Sequence, residues 1–510
     1  MRTVFVLFDS LNRHMLNCYG GNRPVPTPNF DRLAKHTVTF DRHYVGSMPC
    51  MPARRDMLSG HLSFLHRSWG PMEPFDNAFP ELLHEAGVYS HLVTDHFHYW
   101  EDGGATYHNR YDSYEFIRGQ EGDPWKAVVE PDFDKLEGMY HERQFSKELR
   151  SYQRHNVVNR EYIRGEKDFP SVQTFARALD FLETNKDADN WLLQLETFDP
   201  HEPFMAPERF RERFKTGWNG PIRDWPNYGR VDELPEECAE LRANYHALVA
   251  HCDALLGQLL DYFDANDLWK NTALVVSTDH GFLLGEHDFW AKNRMHMYEE
   301  LAHIPLFVHD PRAPELAGTR SVALTQSVDM AKTFLDFFGV EPAPEMGGHS
   351  LLSMRQGEQR REAVIFGYFG GAVNITDGHH SYHLFPDDLE KQEIYQYTLM
   401  PTHIFEPFSV EELQGATLAA PFDFTKGVPL LKVPVTSRSP INSNYGPGAL
   451  LEKDTRLYDL DADPRQQQPI EDAAVEERMR RLMAGLMADN DAPPEAFARL
   501  GLMQGEAVEA

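Results

Sequence analysis

Cys50 stands in the run Cys50-Met51-Pro52-Ala53-Arg54, and several other polar groups sit where apolar stretches end. With four cysteines in the chain, a chance match to C-x-P-x-R is roughly 1 in 100. Asp9-Ser10 closes the stretch Thr3 to Phe8, and Asp279-His280-Gly281 closes Ala273 to Thr278. Two carboxylates and an imidazole delivered this way suit a divalent cation. Oxygen-rich ligation favours Ca, Mg or Mn, and the imidazole tilts the choice towards Mn. Taken singly, Asp9 reads equally as a helix cap, and a free cysteine is most often a small buried hydrophobe. His201, in Asp199-Pro200-His201-Glu202-Pro203, is braced between two prolines and can be aimed at a substrate oxygen; alone it reads as a turn histidine. Lys292 closes Gly285-Glu286-His287-Asp288-Phe289-Trp290-Ala291-Lys292 and offers an ammonium to an anionic group, although a lone lysine is ordinarily a solvated charge. His96 and His98 lie in Thr94-Asp95-His96-Phe97-His98-Tyr99-Trp100, just past another apolar run.

Groups delivered at the ends of apolar runs need a sheet behind them. Thr3 to Phe8, Tyr89 to Thr94, Trp191 to Glu196, Thr272 to Ser277 and Ile304 to Val308 read as short buried strands. Helical stretches alternate with them at Asn77 to Ala86 and Ser171 to Thr184. A longer helix shows in Leu241, Tyr245, Leu248, Cys252, Leu255, Leu259 and Tyr262, an apolar stripe at alternating spacings of four and three. Tyr245 and Cys252 on that stripe read as core packing. The alternation predicts an α/β protein with a mixed, mostly parallel sheet flanked by helices. In such sheets ligands gather at the carboxyl ends of the strands. After about residue 360 the pattern changes. Glu362 to Phe369, Ala372 to Thr376, His380 to Phe385 and Arg456 to Leu460 read as antiparallel strands, and Glu471 to Asp489 as a helix. The expected division is a catalytic part, 1–360, and a smaller C-terminal α+β domain, 361–510, with an extended arm at about 386–451.

The chain has 510 residues, with 79 Asp and Glu against 49 Lys and Arg, for a formal charge of −30. Such a surface repels nucleic acid and anionic membranes, so neither is expected as a partner. An anionic substrate would need a local positive field built from metal, Lys and His. The cysteines Cys18, Cys50, Cys238 and Cys252 show no C-x-x-C pairing. The start lacks the long apolar region and cleavage site of a signal peptide, and no apolar run approaches the roughly 20 residues of a membrane span. The expectation is a soluble cytoplasmic protein.

Together these residues resemble the type I, formylglycine-dependent sulfatase family of the alkaline phosphatase superfamily, including its phosphonate monoester hydrolase-like members. The matching pieces are Asp9, Cys50-x-Pro52-x-Arg54, Pro200-His201-x-Pro203, Thr278-Asp279-His280-Gly281 with Gly285-x-His287, and Trp290-x-Lys292. The tail Leu457-Tyr458-Asp459-Leu460-x-x-Asp463-Pro464 is similar to the family's C-terminal strand and turn. The resemblance implies an alkaline phosphatase-like fold. It also implies that a formylglycine-generating enzyme oxidises Cys50 to an aldehyde, whose hydrate is the nucleophile. Arg54 would hold residue 50 and damp its charge. Asp9, Asp279 and His280, with residue 50, would bind one divalent metal ion, Ca or Mn with Mg as a further option. His201 and Lys292 would contact the sulfuryl or phosphonyl oxygens, one of them protonating the leaving group. One hydroxyl of the hydrate attacks sulfur or phosphorus, and the second then collapses the adduct and restores the aldehyde.

The chain departs from the family pattern in two places. Where many sulfatases carry a second Asp after the first strand, this chain has Ser10, which is neutral and reaches a metal weakly or through its carbonyl. Where most have Gly-Lys-x-His, His96 replaces the lysine and His98 takes the histidine's place. Related phosphonate monoester hydrolases also have a neutral residue at that place and pair Asp with His, as at Asp279-His280. The leading reading is therefore sulfate ester hydrolysis of the arylsulfatase type. The alternative is a phosphonate monoester or phosphodiester hydrolase with the same machinery. An inactive anion-binding protein with Cys50 left as a thiol is the rival of another class. A phosphotransferase of the wider superfamily would use Ser or Thr as nucleophile, which the Pro52 and Arg54 context disfavours. The expected substrate is a small anionic sulfate or phosphonate ester. Specificity is expected from 100–167 and 386–451, with Tyr107, His108, Tyr111 and Trp125 available to an aryl or sugar group or to packing. An extended arm would suit a homo-oligomer.

Overall fold

The computed structural model describes residues 1–20, 24–355, 361–389, 391–439, 441–442 and 446–503. Among them one sheet has eight strands: β1 (Arg2–Phe8), β2 (Val38–Tyr44), β3 (Tyr89–Thr94), β4 (Ser113–Phe116), β5 (Trp191–Thr197), β6 (Thr272–Thr278), β7 (Leu306–His309) and β8 (Arg320–Gln326). Their spatial order is β8-β2-β7-β6-β1-β5-β3-β4. Only β7 runs against its neighbours, pairing antiparallel with β2 and β6. The expected mostly parallel α/β fold is thus present.

β1 shows why its sequence is an unbroken apolar run. Val4, Val6 and Phe8 face one buried cluster, shared with the helix Pro235–Ala265. Phe5 and Leu7 face the other, shared with the helices Phe79–Glu85 and Asp329–Phe337. Successive side chains point to opposite faces, and helices cover both, so no position favours a polar residue. β2, β4 and β8 were not legible as strands. β4 and β8 are the edge strands and β2 lies next to one edge; all three carry charge, as in Asp41-Arg42 of β2, because part of their surface meets water.

A second sheet orders Arg456–Asp459, His380–Leu384, Val373–Thr376 and Val364–Tyr368 antiparallel, with Ser47–Met48 added parallel at its edge. Met479, Leu482, Met483 and Met487 of the helix Ala473–Asp489 pack on this sheet. The register pairs Gly367 with Ser47 and Tyr368 with Met48. The chain just ahead of Cys50 is therefore stapled to the C-terminal half. Within 386–451, which has weak periodicity, Tyr395–Thr398, Leu430–Pro434 and Thr417–Ala419 form a small antiparallel sheet. Strands of three to five residues are too short to display an alternation. Among the described residues no helix is long and apolar enough to cross a membrane.

Candidate active site

Register brings the two halves of the site together. Phe8 of β1 lies level with Thr278 of β6 and Thr197 of β5. Asp9 and Asp279 therefore leave adjacent parallel strands side by side at their carboxyl ends. Ser10 seals the junction: its backbone N–H donates to Asp279 Oδ1 (3.0 Å) and its hydroxyl to Asp9 Oδ1 (2.9 Å). Its φ of 63° is left-handed, a conformation a non-glycine residue keeps only where surrounding bonds hold it. One of those bonds comes from Tyr245, whose hydroxyl donates to Ser10 O (2.8 Å) and accepts from Asn12 N–H (2.9 Å). Tyr245 sits in the core as expected, and its polar tip also supports the site loop. Both Ser10 oxygens are engaged in these bonds.

Cys50 opens the helix Cys50–Ser59, every residue of which is buried. A helix N-terminus favours negative charge at that position. Asp56 ties the helix down, accepting from Ser47 N–H (2.6 Å), Ser63 N–H (2.9 Å) and the Ser63 hydroxyl (2.9 Å). One turn after Cys50, Arg54 donates to Asp9 Oδ2 (2.9 Å), Asp279 Oδ2 (2.6 Å), Glu196 Oε1 (2.8 Å) and the Cys50 carbonyl (3.0 Å). Cys50 Sγ lies 3.2 Å from His280 Nε2, 3.4 Å from Lys292 Nζ and 3.8 Å from Asp9 Oδ1. Lys292 Nζ also donates to the Ser10 hydroxyl (3.0 Å). His96 is fully buried with Nε2 3.5 Å from Asp9 Oδ2, and neither of its ring nitrogens has a hydrogen-bond partner. His98 bonds Glu101 through Nδ1 (2.7 Å) and lines the pocket above Cys50. His201 lines the same pocket. Its Nδ1 is 2.7 Å from the Glu202 carbonyl, an acceptor only, so the proton is on Nδ1 and the lone pair on Nε2.

The charges are strongly coupled. Burial alone would raise Asp9, but Arg54, then His201, His96 and Lys292, hold its carboxyl well below the usual range. Burial and the neighbouring Asp9 push Asp279 up to about 7, against the pull of Arg54 and Lys292. Burial, reinforced by Asp9, raises the Cys50 thiol far above its ordinary value. Lys292 is raised despite burial, by Cys50, Glu202 and Asp9. Burial and then Lys292 lower both His280, to about 3, and His201, so both imidazoles are neutral near pH 7.

Asp9, Cys50, Asp279 and His280 each offer a ligand atom within 4.8 Å of the others. His280 Nδ1 lies 2.8 Å from the Gly281 carbonyl. This fixes its proton there and turns the Nε2 lone pair to the cluster, the orientation a metal ligand requires. Three carboxylates, Asp9, Asp279 and Glu196, face two fixed cations, Arg54 and Lys292. The excess negative charge is what a bound cation would neutralise, so the donor set fits a metal ion.

A cavity of about 210 Å³ opens over Cys50, with Lys292, His201 and His98 in its wall. Several other lining groups carried no sequence signal: Trp69, Glu121, Tyr152, Trp225, Tyr228 and Asn293. Apart from Trp225 and Tyr228, which share one loop, they come from separate segments, so no motif spacing links them. Glu196 was detectable in principle, as the one acid in the buried run Trp191–Thr197. Tyr107, His108 and Tyr111 are buried away from the cavity. The hydroxyls of Tyr107 and Tyr111 are spent on Gly70 O (2.7 Å) and Gln194 (2.5 Å). Trp125 does not line the cavity either; it lies against Lys126, whose Nζ is 3.7 Å from its ring centroid.

Comparison with known proteins follows the same lines. A family model described as Sulfatase matches residues 2–340, and one described as N-sulphoglucosamine sulphohydrolase, C-terminal, matches 285–396. The chain is 27% identical over 418 residues to N-acetylglucosamine-6-O-sulfatase of Bacteroides thetaiotaomicron, covering 72% of this chain and 74% of that protein. Its fold is similar to a structure solved with its substrate D-glucosamine-2-N,6-O-disulfate, at TM-score 0.66, 18% identity, and 97% and 99% coverage of this and that chain. It is also similar to the phosphonate monoester hydrolase of Agrobacterium radiobacter, at TM-score 0.64, 17% identity, and 96% coverage of both chains.

Proposed function

The chain belongs to the sulfatase family, and on that premise we propose how this sulfate ester hydrolase works: residue 50 acts as formylglycine, and Asp9, Asp279 and His280 hold one divalent metal ion. The observation that carries this reading is the surroundings of Cys50. Its Sγ, marking where the aldehyde oxygen would stand, lies between His280 Nε2, Lys292 Nζ and Asp9 Oδ1 at a helix N-terminus. A metal ion, when bound, supplies positive charge that makes a nearby hydroxyl more acidic and offsets charge on the ester oxygens. Arg54 fixes the two metal-facing carboxylates and anchors the turn bearing residue 50. Lys292, buried and charged, takes a non-bridging oxygen of the ester. His201 exchanges a proton through Nε2, its Nδ1 being committed to the Glu202 carbonyl. One hydroxyl of the aldehyde hydrate forms the bond to sulfur as the alcohol leaves. The other then loses its proton, re-forms the aldehyde and expels sulfate. Ca or Mn suits the donor set, two carboxylates and one imidazole.

The test is the mass of the tryptic peptide His43 to Arg54 from protein made together with a formylglycine-generating enzyme. The aldehyde mass is expected. A plain thiol despite a competent maturase would remove the covalent mechanism. One observation favours a second activity: Ser10, held between Asp9 and Lys292, leaves the site without the second carboxylate of many sulfatases, and phosphonate monoesters carry the same single negative charge as sulfate esters. Rates on an aryl sulfate and the matching aryl phosphonate monoester measure the balance, and sulfate is expected to lead.

A further inference from the structure

The residues that line the pocket over Cys50 include three buried acceptor atoms that make no hydrogen bond, Glu121 Oε2, Glu202 Oε2 and Asn293 Oδ1; the His201 Nδ1 that lies 3.2 Å from Glu202 Oε2 is already committed to the Glu202 carbonyl. The three acceptor residues are 7%, 1% and 4% exposed. Leaving such atoms unpaired is costly, so each wants a donor that the chain itself does not supply. Glu121, Glu202 and His201 offer ligand atoms within 4.8 Å of one another, so the two carboxylates converge on one point. Two of the three residues are held there against their backbone preference. Glu121 has φ 40° and Asn293 φ 67°, both left-handed. Asn156 pins the first by donating to the Glu121 carbonyl (2.9 Å), and the Tyr368 hydroxyl accepts from the second's N–H (3.1 Å). Strain maintained at a pocket wall marks a position whose aim matters.

Carboxylates are an odd lining for a site that binds a sulfate ester, because they repel it. They make sense if the rest of the substrate is positive. We propose that this pocket selects sulfate esters whose alcohol part carries a protonated amine, seated on Glu121, Glu202 and Asn293. The proposal rests on the sulfate-ester reading above. Three acceptors match the three donors of a primary ammonium. Trp69, Tyr152, Trp225 and Tyr228 line the same space and offer ring faces that attract an organic cation. The pocket's own cations are turned elsewhere: Lys292 to Cys50 and Ser10, and Arg294 to the Asn293 carbonyl (3.0 Å). The cavity thus carries a cation bonded at Cys50 and two acids beside His201, complementary to an ester negative at sulfate and positive at nitrogen. Burial also raises Glu202 to about 7 against the pull of Lys292, and burial with Glu202 raises Glu121 against the same pull, so one lysine does not offset both acids.

The test uses the matured, metal-loaded enzyme and two esters of equal shape, 4-(aminomethyl)phenyl sulfate and 4-ethylphenyl sulfate. The kcat/KM ratio is expected to favour the amine by about tenfold or more and to fall towards one in Glu121→Gln and, separately, in Glu202→Gln. A wild-type ratio near one, which needs no variant to fold, overturns the proposal; so does a preference that survives both substitutions. Two metal ions per wild-type chain, one of them lost in Glu121→Gln, also overturn it by assigning the acceptors to a metal. Turnover of neither ester defeats the hydrolysis reading instead. Calorimetry of 4-(aminomethyl)phenol against 4-ethylphenol then decides the subsite alone: tighter amine binding lost in Glu121→Gln supports it, and equal binding overturns it.

Discussion

Arg54 is the residue on which the site's electrostatics turn. Its guanidinium meets three fully buried carboxylates, a geometry no lysine can reproduce because a lysine is a single point charge. Arg54→Ala leaves those carboxylates without their shared counter-charge. A loss of about 3–5 kcal/mol is expected, together with abolished turnover. Thermal unfolding and an aryl sulfate assay measure the two effects, and a stable variant would show that the cluster is neutral without Arg54. Tyr245→Phe is gentler. It removes the hydroxyl that bridges Ser10 O and Asn12 N–H, costs about 1–3 kcal/mol as buried groups lose their partner, and is expected to weaken metal binding about tenfold. Metal titration of both proteins checks it. Arg54 was legible because its spacing from Cys50 belongs to a motif. The second task of Tyr245 was not, because its position on an apolar stripe accounts fully for its burial.

The elements act through where they end. β1, β5 and β6 stop in register, so three loops start from one line and reach one point. The turn after β6 is held tightly against the segment 299–302: Gly281 N–H donates to Leu301 O (2.9 Å), and a Cβ on Gly281 would sit 1.8 Å from Glu300 O. A backbone oxygen cannot swing away as a flexible side chain can. Gly281→Ala is therefore expected to displace Asp279 and His280 and to reduce activity more than stability. Turnover compared with the unfolding midpoint of the same variant tests this; equal activity would mean that the turn shifts without moving its ligands. The buried strands and the long helix were readable because burial on two faces, or on one stripe, leaves a periodic record. The short strands within 386–451 and the charged outer strands leave none.

At the scale of the molecule, acid sensitivity follows from histidines sealed in the core. Burial lowers His251 to about 3, with its Nε2 3.2 Å from the Ser171 hydroxyl. Its unfolded value is near 6.5. As pH falls through that value the unfolded chain takes up a proton that the folded chain refuses, so stability present at neutral pH is lost in acid. Between pH 7.5 and 5.5 this one group is expected to cost about 1.4 kcal/mol. The unfolding midpoint of wild type should therefore drop more over that interval than that of His251→Gln; equal drops would clear His251 of the effect. The sequence by itself determined the reaction class and pointed to the candidate site residues, because the nucleophile and metal ligands proposed for it need fixed residue types at strand and helix ends. The burial of β1, β3, β5, β6 and β7 was likewise written in local apolar patterns, whereas their spatial order was not. Only the tertiary structure decided which side chains face the substrate's other half. Trp69, Glu121, Tyr152, Glu202, Trp225, Tyr228 and Asn293 reach one cavity from segments spread between residues 69 and 293, and nothing in their spacing records a meeting that packing alone brings about.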